Sequence, residues 1–374
     1  MAIPKKVLFL NTTLARGGTE RNLVLYAEQL KQRGIDVEVW YLYQRDKDYS
    51  QRLKEAGIRL RCFDVKGRLD VASYFRVAKA LAKSDAELLH IFLPSVGYHY
   101  LLSRTFFKLR KPTVYSCGGI EFLLPFEKSM TRNGLGESCF PIIGNSPAVT
   151  HFLKSAGVSE DRLRVIPNGH DLSIYETDLD RDTFRENNDL PVDKKLFISV
   201  GRLISLKRQR DIILAFAQLT KTRNDIALAF VGDGDSKGDL QQQTDQLGIN
   251  ALVRFLGLRS DVSDCLRASD IFVFATESEG LPNALIEACL AGLPVVATNI
   301  DPNLAVVKDE ESALLVPVGS PEKIELQLAK LLDNENLRNR IASTAQQHAK
   351  EKFSIDRCMT LLLEAYSDSI EFFS

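Results

Sequence analysis

Two cations occupy the loop after a predicted strand in the second half of the chain. Arg202 follows the strand directly, and Lys207 stands where the next helix should begin. An arginine can hold two phosphate oxygens at once, whereas a lysine acts as a mobile point charge. Because cations at a helix N-terminus oppose the helix dipole, an external anion is the simplest explanation for the pair. An ordinary basic loop is the alternative.

A loop that carries a carboxylate follows another apolar strand, predicted at Ile271–Phe274. Glu279 lies in this loop, and the backbone amides within 280–284 would be free at the start of the next helix. Glu287 lies further along that helix among apolar residues, where an unpaired carboxylate is unfavourable, so it should accept strong hydrogen bonds. The two hydroxyls of a ribose would supply them. A buried pair with an arginine or a backbone amide is the alternative.

Two turns that contain glycine are further candidates. Gly17 and Gly18 lead from the first predicted strand into a helix, so the backbone there can approach an anion closely. A tight turn is the alternative, and the absence of GxGxxG spacing argues against an epimerase or a dehydrogenase. Asp233 begins an Asp-Gly-Asp segment that looks like a metal-binding DxD motif, but the glycines on both sides of Asp233 favour a turn beside a nucleoside. No metal is predicted to be required.

Thirteen short apolar runs, which alternate with longer helical patterns, must position these residues. They predict strands at Val7–Leu10, Val37–Leu42, Arg59–Phe63, Leu88–Phe92, Thr113–Ser116, Phe140–Asn145, Leu163–Ile166, Leu196–Val200, Ile226–Val231, Val253–Leu256, Ile271–Phe274, Val295–Ala297 and Ala313–Val316. Such alternation is typical of an α/β protein in which helices cover both faces of a parallel sheet. Ligands of these sheets bind at the carboxyl ends of the strands, which is where the cations and Glu279 are placed.

The alternation is interrupted once. Residues 171–195 are acidic, polar and poor in apolar periodicity, so we predict an interdomain linker there. The linker would join a first Rossmann-like domain, 1–170, which would face the acceptor, to a second Rossmann-like domain, 196–374, which would bind the donor. The two parallel sheets would face each other across a cleft that holds the ligand. The final helix is expected to pack back on the first domain.

Charge is distributed unevenly between the two halves. Residues 1–170 contain 26 Lys and Arg against 16 Asp and Glu, a net charge of +10, whereas the remainder contains 22 against 33, a net charge of −11. A basic half suggests an anionic partner, which would be nucleic acid, an anionic membrane surface or a phosphorylated acceptor. No motif that reads nucleic acid is present, so we expect no nucleic-acid partner. An uneven solvated surface is the alternative.

The cellular location is predicted from two absences. The sequence has no apolar run of about 18 residues, the length that would span a membrane. The six cysteines form no CxxC pair, which is typical of reduced thiols in a cytosolic protein. We therefore expect a cytoplasmic protein. Its basic first half would make a peripheral contact with the inner face of the cytoplasmic membrane.

Taken together, these motifs resemble the large retaining glycosyltransferase family four, also called glycosyl transferases group 1, which has the GT-B fold. The resemblance runs along nearly the whole chain, from GGTE at 17–20 through IPNG at 166–169 to an E-x7-E pattern from Glu279 to Glu287. It implies transfer of a hexose from a nucleotide-sugar, with a UDP-sugar favoured, to a glycan or lipid-linked acceptor in cell-surface polysaccharide or glycolipid synthesis. It implies no cofactor, since the nucleotide-sugar is a substrate.

The resemblance also implies roles for the candidate residues. Arg202 and Lys207 would bind the donor diphosphate and neutralise the leaving nucleotide in place of a metal. Glu279 would face the sugar and the reacting centre, and Glu287 would hold the ribose hydroxyls. The remaining donor contacts would come from backbone near phosphate or sugar, namely at Gly280 and Leu281, and at Gly17 and Gly18, which would close over the diphosphate from the first domain.

Two positions depart from the family pattern. A histidine often follows the fifth strand of the first domain, but this chain has Gly118 and Gly119 there. Either these glycines allow a different geometry on the acceptor side, or Glu121 or His90 takes part. The glycine that often follows the diphosphate-binding lysine is Arg208, which adds a cation. A catalytically impaired nucleotide-sugar-binding or scaffold protein of the same fold is the alternative function.

Residues Tyr98–Lys111 combine aromatic side chains with four cations. This pattern makes the segment our candidate for docking on an anionic membrane. A core helix with a charged end is the alternative.

Overall fold

The computed structural model describes residues 2–15, 17–45, 49–67, 70–118, 129 and 131–374. Within these ranges thirteen strands form two sheets, one of seven strands and one of six. The strands are β1 (Lys6–Asn11), β2 (Asp36–Tyr41), β3 (Arg59–Cys62), β4 (Leu88–Phe92), β5 (Thr113–Cys117), β6 (Ile142–Gly144), β7 (Leu163–Val165), β8 (Lys195–Val200), β9 (Ile226–Val231), β10 (Val253–Phe255), β11 (Ile271–Phe274), β12 (Val295–Thr298) and β13 (Leu314–Val316). Each lies within two residues of a strand predicted from the sequence.

Helices alternate with these strands and close the chain. They are α1 (Gly18–Gln32), α2 (Ser50–Glu55), α3 (Val71–Lys83), α4 (Gly97–Phe107), α5 (Gly136–Ser138), α6 (Pro147–Ser155), α7 (Arg181–Glu186), α8 (Gln209–Leu219), α9 (Lys237–Gln246), α10 (Val262–Arg267), α11 (Asn283–Leu290), α12 (Asp301–Leu304), α13 (Pro321–Asp333), α14 (Glu335–Phe353) and α15 (Ile355–Phe373). Single helical turns lie at Pro94–Val96, Thr131–Leu135, Glu160–Arg162, Ser173–Tyr175, Ser205–Lys207 and Asn250–Leu252. None of the helices in the described ranges is both long and apolar enough to cross a membrane.

Contacts divide the chain into two compact units. Unit 1 comprises Met1–Gly169 and Ile355–Ser374, and unit 2 comprises His170–Ser354. The strand order is β3-β2-β1-β4-β5-β6-β7 in unit 1 and β10-β9-β8-β11-β12-β13 in unit 2. Every pairing of neighbouring strands in the two sheets is parallel. Each unit is therefore a parallel α/β domain, as the sequence predicts.

Both sheets are covered on both faces. In β1, Phe9 points into one core of unit 1 and Leu8 points into the other. In β8, Ile198 and Phe197 divide in the same way between the two cores of unit 2. Successive side chains of a strand point to opposite faces, so a continuous apolar run is what a sheet covered on both sides requires.

The final helix, α15, belongs to unit 1. Met359 and Tyr366 of this helix lie in the same core as Phe9. Asp356, in its first turn, binds the guanidinium of Arg33 at 2.7 Å. The chain thus completes unit 1 only after it has passed through unit 2.

Residues 171–195, which the sequence analysis assigns to a linker, form part of unit 2. The segment contains α7, whose Arg185 is 4% exposed. The Arg185 guanidinium binds the carbonyl of Ala268 at 2.7 Å, the carbonyl of Lys194 at 3.0 Å and the carboxylate of Asp270 at 2.7 Å. The buried Arg185 and the core residue Leu190 both anchor the segment. It therefore packs as part of unit 2, although its polar composition suggests a linker.

Asp270→Asn should destabilise unit 2 by about 3 kcal/mol, because it leaves a buried guanidinium without its counter-charge. The pKa of Asp270 lies below its usual value: burial would raise it, but the bonds from the Leu196 amide and Arg185 outweigh burial. The carboxylate therefore contributes stability that is present at neutral pH and lost as the pH falls through this lowered pKa. Thermal unfolding followed by circular dichroism measures the change.

The control for this variant is Asp333→Asn. Asp333 binds Arg223 at 2.6 Å, but its side chain is 68% exposed, so the loss of this pair should change the melting temperature little. The fluorescence of Trp40, the single tryptophan of the chain, reports on unit 1 and should not change in either variant. Equal destabilisation by both substitutions would contradict the anchoring role of Arg185 and Asp270.

Candidate active site

The strand order of unit 2 reverses between β8 and β11, which are neighbours in the sheet. In parallel α/β sheets, ligands bind beyond the carboxyl ends of the strands at such a point of reversal. Arg202 and Lys207 follow β8, and Glu279 follows β11. The fold therefore brings the predicted cations and the predicted carboxylate to the same edge of one sheet.

The loop after β8 is supported by the loop after β9. The Leu203 amide donates to the Asp233 carbonyl at 3.0 Å. A Cβ at Gly232 would overlap the Gly201 carbonyl oxygen, so only glycine fits there. The Asp233 carboxylate accepts a bond from the Gly234 amide at 2.8 Å. The Asp-Gly-Asp segment is thus held against the loop after β8, and the described residues include no group of three His, Cys, Asp or Glu placed to hold a metal. The lack of a metal requirement stays a prediction.

The loop after β11 is tied to the cation-bearing loop. The Glu277 amide donates to the Leu206 carbonyl at 3.0 Å. The Thr298 hydroxyl donates to the Thr276 carbonyl at 2.6 Å and so fixes the same loop to β12. These bonds set the position of the carboxylate-bearing loop relative to the cations.

Lys207 and Glu279 form an ion pair although they are 72 residues apart. The two side chains are only 16% and 13% exposed. The Lys207 ammonium also lies 5.8 Å from the centroid of the Phe274 ring, within the range of a cation–π contact. A diphosphate that binds Lys207 must therefore compete with Glu279. The pair could not be predicted from the sequence, because no spacing rule relates two loops so far apart in the chain.

Arg202 is exposed, in contrast to Lys207. Its carbonyl accepts a hydrogen bond from the Gln209 side chain at 2.9 Å, which fixes the backbone just before α8. Within the part of the chain that the structure describes, its guanidinium makes no hydrogen bond or ion pair. The charge of Arg202 is therefore available to an anion.

Glu287 lies in α11 and is 6% exposed, which agrees with the burial expected for it. The Asn283 amide donates to the Leu281 carbonyl at 2.9 Å, so it is not free as the sequence analysis expects for the amides of 280–284. Leu281 is 7% exposed and packs in a core of unit 2. The roles of Gly280, Leu281 and Glu287 toward a donor stay predictions.

Gly17 and Gly18 lie at the start of α1 in unit 1. A Cβ at Gly17 would collide with the carboxylate of Glu20, which occupies the same turn. Burial raises the pKa of Glu20, although bonds to its own amide, Asn11 and Thr13 lower it. An acidic side chain at this helix N-terminus competes with the anion expected there, and the donor contact of the two glycines stays a prediction.

Gly118 follows β5, at the position where the family resemblance implies a histidine. A Cβ there would stand 2.8 Å from the Thr19 hydroxyl oxygen, so a larger side chain would require Thr19 to move. The side-chain Nδ2 of Asn145 donates to the Gly118 carbonyl at 3.0 Å. Gly118 and Asn145 border a cavity of about 20 Å³, which is large enough for one water molecule. The other acceptor-side candidates in this segment, Gly119 and Glu121, lie outside the described residues.

His90, the remaining acceptor-side candidate, lies inside β4 and is fully buried. Its Nδ1 is 2.8 Å from the Tyr366 hydroxyl, and its Nε2 is 2.7 Å from the Ser116 hydroxyl. The ring stacks on Phe92 with a centroid distance of 4.1 Å. Burial lowers the pKa of His90 to about 3, so the ring is neutral. Because both ring nitrogens are engaged in the core, we replace the predicted acceptor role of His90 with a structural one.

The buried His90 should make unit 1 lose stability in acid. Its pKa is about 3 in the folded protein against an ordinary value of 6.5, so the unfolded chain binds the proton first as the pH falls. The contribution of neutral His90 to the unfolding free energy is complete above pH 6.5, the ordinary pKa of histidine. It should fall by about 1.4 kcal/mol per pH unit between pH 6.5 and the lowered pKa of about 3. Urea unfolding at about pH 7, 6 and 5, followed by Trp40 fluorescence, measures this dependence.

The comparison variant is His90→Gln, which keeps a side chain that can form hydrogen bonds but does not titrate. Its unfolding free energy should depend on pH less steeply than that of the wild type, by the equivalent of one proton. The same pH dependence in both proteins would show that His90 is not held neutral in the core.

Comparison with known proteins gives the family. The family model described as Glycosyl transferases group 1 matches residues 180–348, and the model described as Glycosyltransferase Family 4 matches residues 16–174. Together the two matches cover most of both units. The chain belongs to this glycosyltransferase family.

Two curated relatives support the assignment. The lipopolysaccharide core biosynthesis glycosyltransferase LpsE of Rhizobium meliloti (strain 1021) is 24% identical over 346 residues, which are 90% of this chain and 92% of LpsE. The UDP-Gal:alpha-D-GlcNAc-diphosphoundecaprenol alpha-1,3-galactosyltransferase of Escherichia coli is 29% identical over 227 residues, 58% of this chain and 57% of the relative. This chain is therefore a glycosyltransferase.

A solved structure gives the fold. The crystal structure of HepE from Anabaena in complex with UDP-glucose superposes with a TM-score of 0.86 at 23% identity, over 97% of this chain and 99% of HepE. At this level of identity the likeness is one of fold. With two parallel α/β units, the chain has the GT-B fold.

Proposed function

We propose that this chain transfers a hexosyl group from a UDP-sugar to a glycan or lipid-linked acceptor, with retention of the anomeric configuration, in the synthesis of lipopolysaccharide or a related cell-surface glycan. The observation that carries the proposal is the meeting of exposed Arg202, the Lys207–Glu279 pair and the start of α11 at one edge of the unit 2 sheet. The UDP-Gal in the name of the E. coli relative and the UDP-glucose in the HepE complex support this class of donor.

The proposed chemistry follows from the charges. When the bond between the sugar and the diphosphate breaks, negative charge develops on the leaving phosphate, and fixed cations there lower the barrier. Arg202 and Lys207 are two cations at this edge of the sheet. Glu279 would face the positive charge that develops on the anomeric carbon. The acceptor hydroxyl oxygen would bond to the anomeric carbon on the face that the phosphate leaves and give its proton to that phosphate, and attack on this face gives retention.

The other donor contacts follow from α11. Glu287 is buried in this helix and would accept hydrogen bonds from the ribose hydroxyls. The backbone at Gly280 and Leu281 would touch phosphate or sugar just before the helix begins. Because two side-chain cations supply the positive charge, we propose that the reaction requires no metal and no cofactor.

The test is donor consumption by the full chain, followed by mass spectrometry over a panel of UDP-, GDP- and ADP-sugars. Each donor is measured in EDTA and with added Mg²⁺, and nuclear magnetic resonance of the product gives its anomeric configuration. We expect one UDP-sugar to be consumed in EDTA, with retention, and we expect Arg202→Ala and Glu279→Ala to lose this activity.

Three results would overturn parts of the proposal. Dependence on Mg²⁺ would show that the two cations do not replace a metal. An inverted product would exclude the same-face mechanism. Binding of UDP without consumption of any donor would favour the nucleotide-sugar-binding scaffold protein.

We also propose a peripheral contact with an anionic membrane surface through the end of α4. Phe106 is 61% exposed and its ring lies 5.5 Å from that of Phe75. Lys108 and Arg110 are exposed beside it, whereas Lys111 is turned inward and donates to the Ala86 carbonyl at 2.7 Å. The opposite face of α4 is buried, so the helix contributes to the core and leaves its C-terminal end to solvent.

Removal of the two exposed cations should weaken this contact. We expect the double variant Lys108→Gln, Arg110→Gln to bind vesicles of phosphatidylglycerol at least tenfold more weakly at low salt, at about 1 kcal/mol per cation near an anionic surface. Co-sedimentation measures the effect, which should disappear at high salt because the interaction is screened. The control, Lys323→Gln with Lys330→Gln, removes two cations from unit 2. If the wild type is not retained by these vesicles at low salt, the docking proposal fails.

A further inference from the structure

Two consecutive cations of the loop after β8 each hold a carboxylate of the loop after β11. Lys207 pairs with Glu279, and the next residue, Arg208, pairs with Glu277. The two carboxylates are themselves only two residues apart. Two parallel ion pairs therefore join the same two loops.

Arg208 is fixed from both sides. Its Nε lies 2.6 Å from the carboxylate of Asp211, whose side chain is only 4% exposed. Another nitrogen of its guanidinium donates to Glu277. These two carboxylates raise the pKa of Arg208, so the charge is permanent. The guanidinium is thus anchored to α8 at one end and to the β11–α11 loop at the other.

The backbone of Arg208 is in the left-handed region, with φ 49° and ψ 33°. Residues other than glycine rarely adopt this conformation, and glycine adopts it without steric penalty. An arginine is therefore not the residue that the turn alone would favour. Its side chain supplies the link between the two loops, which a glycine could not.

We propose that Arg208 and Glu277 are positioning residues that hold the β11–α11 loop in place while the donor diphosphate draws Lys207 away from Glu279. This inference rests on the proposed function, in which the diphosphate binds Lys207. A diphosphate carries more negative charge than one carboxylate, so its arrival weakens the Lys207–Glu279 pair. The Arg208–Glu277 ion pair then still joins the two loops, and together with the backbone bond from Glu277 to Leu206 it keeps Glu279 beside the sugar.

The pair should act on turnover and not on nucleotide affinity. In Glu277→Gln and in Arg208→Gly, we expect kcat for donor consumption to fall by about tenfold or more, because a small displacement of a reacting group has effects of this size. The affinity for UDP should stay within about threefold of that of the wild type, because Arg202 and Lys207 remain. Arg208→Gly also removes the left-handed arginine, so backbone strain cannot account for its loss of activity.

The double variant and two single variants separate positioning from a general loss of stability. Arg208→Gly combined with Glu277→Gln should cost no more in kcat than the larger single effect, since both remove one link. Arg208→Lys, which keeps a positive charge, should recover part of the lost kcat. Asp333→Asn, which breaks an arginine–carboxylate pair elsewhere in unit 2, should leave kcat unchanged.

Hydrogen exchange gives a readout that does not need turnover. The amide of Glu277 is bonded to the Leu206 carbonyl, so exchange of the peptide that covers 276–281 reports on the joint between the loops. In the wild type, added UDP should leave this exchange slow. In Glu277→Gln and Arg208→Gly, UDP should speed it up, because the second link is absent when Lys207 turns to the phosphate.

The outcomes separate this inference from the proposed function. If the wild type and Lys207→Ala bind UDP equally, the diphosphate does not meet Lys207, and the proposed function fails. If Lys207→Ala loses UDP affinity while the Arg208 and Glu277 variants keep wild-type kcat and exchange, the inference fails alone. An equal loss of UDP affinity in Arg208→Gly and Lys207→Ala would show that Arg208 contacts the phosphate, which also overturns it.

Discussion

Replacing Arg202 with alanine is expected to weaken UDP binding by about 10- to 100-fold without lowering the melting temperature. Hydrogen bonds to a charged group contribute about 1.5–3 kcal/mol each, and about 1.4 kcal/mol corresponds to a tenfold change in affinity. Arg202 is exposed, and no hydrogen bond or ion pair of its guanidinium is present among the described residues, so the fold does not depend on it. Calorimetric titration with UDP and thermal unfolding measure the two quantities.

The matched control is Arg210→Ala. Arg210 is an exposed cation in the first turn of α8, so its removal changes the charge of the same region equally. It should leave UDP affinity close to that of the wild type. Equal losses of UDP affinity in both variants would mean that UDP responds to the overall positive charge of this surface. Unchanged affinity in Arg202→Ala would mean that the diphosphate binds elsewhere.

Turnover by Arg202→Ala should fall at least as far as affinity. The charge on the leaving phosphate is larger in the transition state than in the bound donor, so a cation beside it stabilises the transition state more. A variant that binds UDP weakly but consumes saturating donor at the wild-type rate would show that Arg202 only contributes to binding.

The strands could be predicted because their side chains are buried on both faces of each sheet. A parallel sheet covered by helices on both faces needs short continuous apolar runs, and β1 and β8 show this directly. The edge at which Arg202 and Glu279 meet could also be predicted, since ligands bind at the carboxyl ends of such strands. Neither inference requires knowledge of side-chain contacts.

The ion pairs at the site could not be predicted in the same way. Lys207 meets Glu279 only because β8 and β11 are neighbours in the sheet, and strand order cannot be read from apolar periodicity. The position of Arg208 in a left-handed turn is equally a property of the folded loop. The sequence therefore predicts the groups at the site but not their mutual contacts.

Two other differences have the same cause. Arg185 joins residues 171–195 to the rest of unit 2 through the Ala268 carbonyl and the Asp270 carboxylate. A backbone carbonyl leaves no signal in the sequence, and Asp270 lies 85 residues away from Arg185. His90 appears in an apolar strand and could equally have lined a site. Its two hydrogen bonds, to Tyr366 of the last helix and to Ser116 of the next strand, are what make it a core residue.

The Lys207–Glu279 pair leads to opposite effects on binding and on turnover when Glu279 is replaced. We expect Glu279→Gln to lower kcat for donor consumption by about 100- to 1,000-fold, the range found when a preorganised group that faces developing charge is removed. We expect the affinity for UDP to rise by about threefold, because Lys207 no longer has to leave a carboxylate to meet the diphosphate. Titration with UDP and donor consumption at saturating donor measure the two quantities.

The direction of the change in affinity is the informative part. If Glu279 only supported the fold, its replacement would lower UDP affinity and turnover together. The control is Glu322→Gln, which removes an exposed carboxylate of α13 and should change neither quantity. If Glu279 instead contacts UDP directly, its replacement should weaken binding. Our proposal is that Glu279 holds Lys207 until the diphosphate arrives and then faces the sugar. The ion pair then opposes diphosphate binding, whereas the carboxylate assists sugar transfer. Replacing Glu279 must therefore raise the affinity for UDP and lower kcat.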